Sequence, residues 1–162
     1  MTRKDMLISW LNDAYATEQS LINVLEKHAE HAKGHTEIKK RYDAHLAQTR
    51  KHAEMVEQCL QNLGSDASSG KKVLGKMTGW MQGLSSAPAG DTLVKDALAD
   101  YSMEHFEIAS YRGLIVGAEE AGESEVAETC RQILAEEEEM AAFLEQQIPR
   151  ITQSELSRQT ES

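Results

Sequence analysis

The sequence predicts an all-α fold: four long helices paired as two antiparallel hairpins and joined by one long crossover. Three observations carry this. Helix-favouring Ala, Leu, Glu, Gln and Lys dominate a chain with two prolines and 5% aromatic residues, and β-branched runs are missing. Apolar residues recur at helical spacing through four long segments. Between the second and third of these, residues 65 to 90 change character to a Ser-, Gly- and Ala-rich stretch far longer than a hairpin turn.

The first helix is expected from about Arg3 to the His31–Lys33 region, with Gly34 as its stop. Leu7, Leu11, Tyr15, Leu21, Ile22, Leu25 and Ala29 make its apolar face, and Glu18 interrupts that face. Thr36 is placed to cap a second helix whose inner stripe is Ile38, Tyr42, Leu46, Thr49, Ala53, Val56, Leu60 and Leu63, and which the run Leu63-Gly64-Ser65-Asp66 ends. In the crossover, Val73, Met77, Trp80, Met81 and Leu84 share one helical face and Gly75, Gly79 and Gly83 another. That pattern predicts a short fifth helix, and its glycine ridge is expected to meet a second copy of the chain.

A third helix begins near Asp91 or Thr92, carries Val94, Ala97, Leu98, Tyr101, Ile108, Tyr111 and Ile115 inward, and ends near Gly122. The fourth begins around Ser124, buries Val126, Cys130, Ile133, Leu134, Met140, Ala141, Leu144 and Ile148, and meets Pro149, which obstructs continuation. Residues 1–149 are therefore read as one helical domain and 150–162 as a polar, frayed tail. Two hairpins with a single long crossover are the connectivity of ferritin-like four-helix bundles.

The formal charge of −10 argues against a nucleic-acid or anionic-membrane partner, because either needs Lys and Arg concentrated on one face. Cationic ligands fit better. Cys59 and Cys130 sit on apolar helical faces without CxxC pairing, so buried free thiols in a reducing compartment are expected. The apolar run after Met1–Asp5 is interrupted by Asn12 and Asp13, too early for a signal peptide, and no stretch is long enough to span a membrane. These features predict a cytoplasmic location.

The chemistry lies where charge breaks the stripes. A lone buried carboxylate costs several kcal/mol or takes up a proton, so several inward acids and imidazoles at one level imply a shared cation. On the third helix Glu104 falls on the stripe and Glu107 flanks it one turn later, where it either joins Glu104 or pairs with a surface cation such as Arg112. The run Glu136–Glu139 sweeps most of the way round the fourth helix, so one member must enter the core; the flanking stripe selects Glu137, with Glu136 at the margin and Glu138 and Glu139 solvated. The second helix offers His45, Gln48, Thr49 and His52 on one side, and imidazole ligates iron and manganese alongside carboxylates. His28, His31 and His35 cluster at the hairpin end and read as surface residues, and His105 has no clear role. Residues equidistant from a turn lie at similar heights, which sets Glu18 opposite positions near 50 and Glu104 opposite positions near 138.

Tyr15-Ala16-Thr17-Glu18-Gln19, His45-Leu46-Ala47-Gln48-Thr49 followed by His52, the segment Glu104-His105-Phe106-Glu107-Ile108-Ala109-Ser110-Tyr111, and Leu134-Ala135-Glu136-Glu137 together resemble the YciE/YciF family of ferritin-like bacterial stress proteins. The resemblance covers residues 6 to about 147. It implies a cytosolic, stress-associated homodimer with a dinuclear iron or manganese centre. The metal ligands would come from Glu18, His45, Gln48, His52, Glu104, Glu107 and Glu137, with Glu18 and Glu137 terminal or chelating and Glu104 and Glu107 bridging. One departure from the wider ferritin-like pattern stands out: Glu-x-x-His occurs nowhere in this chain. The leading expectation is a di-metal oxidoreductase that oxidises ferrous iron or consumes oxygen or peroxide. The alternative is a non-catalytic dimeric stress protein whose polar core is vestigial or holds a structural metal. A mineral-storing cage would need a shell-closing surface, and nothing in the sequence identifies one.

Overall fold

A computed structural model of the chain describes residues 1–67 and 91–160. Within them four helices follow in order: α1 (Arg3–His31), α2 (Thr36–Asn62), α3 (Thr92–Ala121) and α4 (Ser124–Thr160). The proposed crossover helix and its glycine ridge lie outside the described residues. α1 pairs with α2 and α3 with α4, and the two hairpins meet mainly through α1 against α3 and α2 against α4.

Local chemistry sets the helix ends. Thr2 and Asp5 form a reciprocal capping box at the start of α1, Thr2 Oγ1 accepting from the Asp5 amide at 3.1 Å and Asp5 Oδ2 from the Thr2 amide at 2.7 Å. Gly64 and Gly122 adopt left-handed backbone, with φ of 80° and 78°. Each closes its helix by the paired bonds of a Schellman turn: Ser65 N to Leu60 O and Gly64 N to Gln61 O, then Glu123 N to Ala118 O and Gly122 N to Glu119 O. The α1–α2 turn differs. It is a 3-10 turn over Ala32–Gly34, and the residue capping α2 is His35, through its backbone alone, with Thr36 already inside the helix.

Two other expectations are corrected. α4 runs through Pro149 to Thr160, so residues from Arg150 onward do not fray at the proline. Proline forfeits one helical hydrogen bond, but Ile151 beyond it is buried in the core and Glu155 meets His35 at 3.6 Å, and that packing holds the last turns in place. On α3 the inward face is rotated from the one expected: Leu98 is exposed, while Leu93, Asp96, Asp100, Met103 and Leu114 are buried.

The interior has three layers along the bundle axis. One apolar cluster holds Leu7, Leu11, Val56, Leu60, Leu114 and Ile133, together with the two free, buried cysteines Cys59 and Cys130. A second holds Leu21, Leu25, Tyr42, Leu46, Met103, Met140 and Leu144. Between them Glu18, Thr49, His52, Glu104, Glu107 and Glu137 fill a polar level contributed by all four helices.

Candidate metal centre

Each helix brings its polar residue to this level at the point where one apolar cluster gives way to the other. On α1, Glu18 lies between Leu11 and Leu21. On α4, Glu137 lies between Ile133 and Met140. Both glutamates are wholly buried. Glu138 and Glu139 face solvent and Glu136 is half-buried, as the helical sweep of the four acids requires.

Two groups of side chains converge closely enough for one cation each: Glu18, His52 and Glu137 in the first, His45, Glu104 and Glu137 in the second. In the first, His52 Nδ1 lies 2.9 Å from Glu137 Oε1 and 3.8 Å from Glu18 Oε1. In the second, His45 Nε2 lies 3.0 Å from Glu104 Oε1 and 3.7 Å from Glu137 Oε2. Glu137, on α4, is common to both. Glu107 is buried beside them but belongs to neither group, and Gln48, three residues after His45 on α2, is half-buried.

The polar atoms here are poorly satisfied by one another. Glu18 Oε2, Glu104 Oε2, Glu107 Oε1, both oxygens of Glu137, His45 Nδ1, His52 Nδ1 and Gln48 Oε1 are buried with no hydrogen-bond partner in suitable geometry. Native interiors leave only a few such atoms orphaned and those scattered, so a concentration of them at one level fits atoms aimed at a common ion rather than at each other. Carboxylate oxygen and imidazole nitrogen form the donor set that suits iron and manganese.

Electrostatics agrees. Burial, then repulsion from Glu137, pushes the Glu18 carboxyl up to about 8, against the pull of His52 and of the Tyr111 hydroxyl that donates to it. Glu104 and Glu107 are raised well above the carboxylate range, first by burial and then by Glu137. Glu137 is the exception: burial would raise it, but the close approach of the His52 imidazole and the charges of His45 and His52 leave it lowered. Burial would depress His52, yet the surrounding carboxylates Glu137, Glu18 and Glu136 lift it to about 9. His45, more deeply desolvated, is lowered. Without metal, the centre therefore favours charge on Glu137, beside the His52 imidazole, and disfavours it on Glu18, Glu104 and Glu107.

Two supporting contacts escaped the sequence reading. Tyr111 appeared there only as a core residue, and Glu136 Oε2 accepts from His52 Nε2 at 2.9 Å, fixing the ring whose other nitrogen faces the centre. A whole cluster was also missed. His28, expected at the surface, is buried: its Nδ1 is 2.9 Å from both oxygens of Asp100 and its Nε2 is 3.2 Å from Asp96 Oδ1. His31, exposed, bonds through Nδ1 to Asp96 Oδ2 at 2.6 Å. The signal was available, since Asp96, Asp100 and Glu104 recur every four residues on one face of α3.

With this geometry in view, the similarity to known proteins is informative. The chain is 30% identical over 146 residues to protein YciF of Escherichia coli K12, covering 84% of each. The crystal structure of that stress protein superposes with a TM-score of 0.80 at 25% identity, over 94% of this chain and 98% of the other. A protein of Xanthomonas campestris pv. campestris matches at 0.84 and 30% identity, over 99% of both chains. Bacterioferritin of Mycobacterium tuberculosis shares the fold at 23% identity, with a TM-score of 0.72 over 91% of this chain and 86% of its own, which makes the architecture here a ferritin-like bundle. The model of the family described as "Domain of unknown function (DUF892)" matches residues 2–157, and the chain belongs to that family.

Proposed function

We propose that the protein binds two transition-metal ions, iron or manganese, in its polar layer and acts as a ferroxidase-like oxidoreductase during stress, taking electrons from ferrous iron and passing them to oxygen or peroxide. The observation that carries this reading is the pair of convergent groups sharing Glu137, with ligand-type oxygens and nitrogens left unsatisfied around them. Glu18 and His52 would hold one ion, Glu104 and His45 the other, and Glu137 would bridge. Glu107 would close the site as a further carboxylate, and Gln48 would sit at its edge. The metal pair would supply the one-electron redox chemistry that no side chain here provides. Tyr111 orients Glu18, Glu136 orients His52, and the two apolar clusters shut out bulk water from either end. Stress-protein YciF and the bacterioferritin fold support the assignment by likeness.

The test is aerobic addition of ferrous iron to apo-protein. Ferric absorbance should rise faster than in buffer, and Glu18→Ala should remove the excess; equal rates for wild type and variant would sink the ferroxidase reading.

A second reading is favoured by His52, whose imidazolium already gives Glu137 an internal counter-charge. On that reading the protein is a non-catalytic stress protein with a vestigial or structural metal site. Metal titration separates the two: absence of Mn2+ and Fe2+ binding leaves only the second. We further read the protein as a cytoplasmic homodimer, to be checked by sedimentation; among the described residues no helix is long and apolar enough to cross a membrane.

A further inference from the structure

A groove of about 820 Å³ runs between α1 and α3 and ends at the polar layer. Its walls are two helical stripes, Met6, Trp10 and Ala14 from α1 and Phe106, Gly113 and Val116 from α3. Met6, Trp10, Phe106 and Val116 stand between 39% and 58% exposed, so apolar surface is gathered in one concave strip rather than scattered singly. Two glycines of α3 shape it. A Cβ on Gly117 would lie 2.9 Å from Trp10 Cζ3 and 3.2 Å from Cε3, so the indole rests directly against the α3 backbone as a fixed wall. A Cβ on Gly113, one turn earlier, would meet nothing within 4 Å, and that gap gives the groove its depth.

At the inner end the lining is Glu107 and Tyr111, both buried. The Tyr111 hydroxyl is committed to Glu18, whereas Glu107 Oε1 has no hydrogen-bond partner. Most other polar groups of the lining are engaged. Ser110 Oγ donates to Phe106 O at 2.8 Å and Thr17 Oγ1 to Asp13 O at 2.9 Å. Arg3, at the outer end, holds Glu120 through its carbonyl at 3.1 Å and its carboxylate at 3.4 Å. What stays open is Glu107 Oε1 and the carboxylate of Asp13, which is in no ion pair among the described residues. Both are acid oxygens.

We propose that this groove binds a small organic molecule with an aromatic body and a hydroxyl group, the hydroxyl lying at the inner end and donating to Glu107. The lining selects this class. Its volume falls within the range of about 300–1,000 Å³ common to small-molecule sites. Trp10 and Phe106 suit a flat ring by stacking, and the Met6 thioether by contact with a ring edge. The open polar groups are acceptors, so the ligand brings the donor; they are acids, so an anionic group on the ligand is repelled. A second copy laid on the groove through a twofold contact would set a surface whose open charge is acidic against itself and leave Glu107 Oε1 unmet beneath the apolar strip. The proposal rests on the metal-centre reading for one consequence alone, that a hydroxyl at Glu107 stands beside the metal pair as its organic reaction partner. Binding itself needs only the apo-protein.

The experiment titrates 2-naphthol into full-length apo-protein by calorimetry, beside 2-methoxynaphthalene, which keeps the rings but has no O–H, and 2-naphthoate, which carries an anionic group. One 2-naphthol should bind per chain, and the other two probes roughly tenfold more weakly or worse. Gly113→Leu fills the gap at a point where its Cβ meets no neighbour, and it removes a glycine from a helix interior. Its melting temperature should therefore be at least that of wild type, while its affinity for 2-naphthol falls roughly tenfold or more. Glu107→Leu, apolar and of similar size, should lower the affinity for 2-naphthol to that for 2-methoxynaphthalene and leave the latter unchanged. Equal affinity for the three probes, or wild-type affinity in Gly113→Leu, would overturn the proposal. So would absence of 2-naphthol binding by wild type, the result expected if a second copy or residues 68–90 cover the groove. Sedimentation of Gly113→Leu as a monomer beside a dimeric wild type would assign the groove to a second copy and overturn it as well. Mn2+ titration of wild type is read separately: no uptake would overturn the metal centre, while the groove stands or falls by the naphthol titrations.

Discussion

Asp96 and Asp100 are as deeply buried as Glu104 and Glu107 on the same face of α3, yet the two pairs of acids are treated in opposite ways. At the hairpin end, two aspartates meet two imidazoles, and His28 and His31 contact both oxygens of Asp96 while His28 contacts both of Asp100. At the centre, Glu18, Glu104, Glu107 and Glu137 share two imidazoles, His45 and His52, with the Tyr111 hydroxyl donating to Glu18, and each of the four keeps at least one orphaned oxygen. The first cluster carries its own counter-charge. The second has an excess of acid that only protons or imported cations can balance. Burial of charge alone is therefore no sign of a metal site; the diagnostic feature is the shortfall of internal partners.

The largest effect expected from this contrast is at the self-sufficient cluster. His28→Ala leaves two buried aspartates without their shared partner, and breaking such a pair from one side typically costs about 3–5 kcal/mol. Urea unfolding should show a loss of that order, with or without Mn2+. A loss below about 1 kcal/mol would mean that the cluster is not ionised and that the contrast with the centre is false.

At the centre the expected effect depends on the ion. Metal at a hundred times its dissociation constant should stabilise the fold by about 2.7 kcal/mol, a rise of roughly 5–10 °C in melting temperature. Glu137→Gln removes the carboxylate common to both groups and should abolish most of that rise. Should Glu137→Gln respond to Mn2+ like wild type, the shared-ligand geometry is not the binding site.

pH sharpens the comparison further. Glu18, lifted to about 8, binds its proton more tightly in the folded chain, so it contributes no penalty below the ordinary glutamate range and a growing one as pH rises from about 4.5 towards 8. The raised Glu104 and Glu107 act in the same direction. His52, lifted to about 9, stabilises fully below about 6.5 and loses that contribution as pH climbs through 9. The melting temperature of apo-protein should therefore fall between pH 5 and 8, while the increment from a fixed Mn2+ concentration grows over the same range because metal competes with protons for the ligands. An apo-protein that gains stability over this range would contradict the proton-loaded centre.

How far the sequence revealed these two clusters follows from where their residues sit. Glu18 and Glu137 interrupt long apolar stripes whose phase is fixed on both sides, so helical periodicity alone turned them inward; the same holds for His52 and Glu104. Asp96 and Asp100 stand near the start of α3, where Leu98 suggested a different inward face, and a rotation of that stripe hid them. His28 and His31 close a charged helix end, where imidazoles are ordinarily solvated, and only contact with another helix gives His28 its role. Pro149 misled for a related reason: a local rule about backbone hydrogen bonding was outweighed by the packing of Ile151 further along the chain. What periodicity could fix was legible, and what depended on a partner helix was not.

Glu136 lies between the two regimes, half-buried and bonded to His52. Glu136→Gln keeps a hydrogen-bond acceptor but removes the charge that helps hold His52, and loss of such an outer contact commonly costs about tenfold or more in metal affinity. Mn2+ titration should show a weakening near that size with little change in apo stability; an unchanged affinity would detach Glu136 from the site.

The smallest effect belongs to its neighbour two residues on. Glu138 is exposed and pairs with Arg112 of α3 at 2.7 Å, both side chains about half in solvent. Exposed pairs of this kind contribute about 0–1 kcal/mol, because water screens the attraction and holding two long side chains together costs entropy. Glu138→Gln should therefore alter apo stability by less than about 1 kcal/mol and leave the whole metal-induced rise in melting temperature in place. The comparison with Glu137→Gln is severe because the two substitutions are chemically identical and adjacent in the chain, differing only in that a turn of about 100° carries one carboxylate into the core and the other out of it. If both substitutions removed the metal response equally, the inward assignment of Glu137, and with it the excess of acid that sets the centre apart from the hairpin-end cluster, would have to be abandoned.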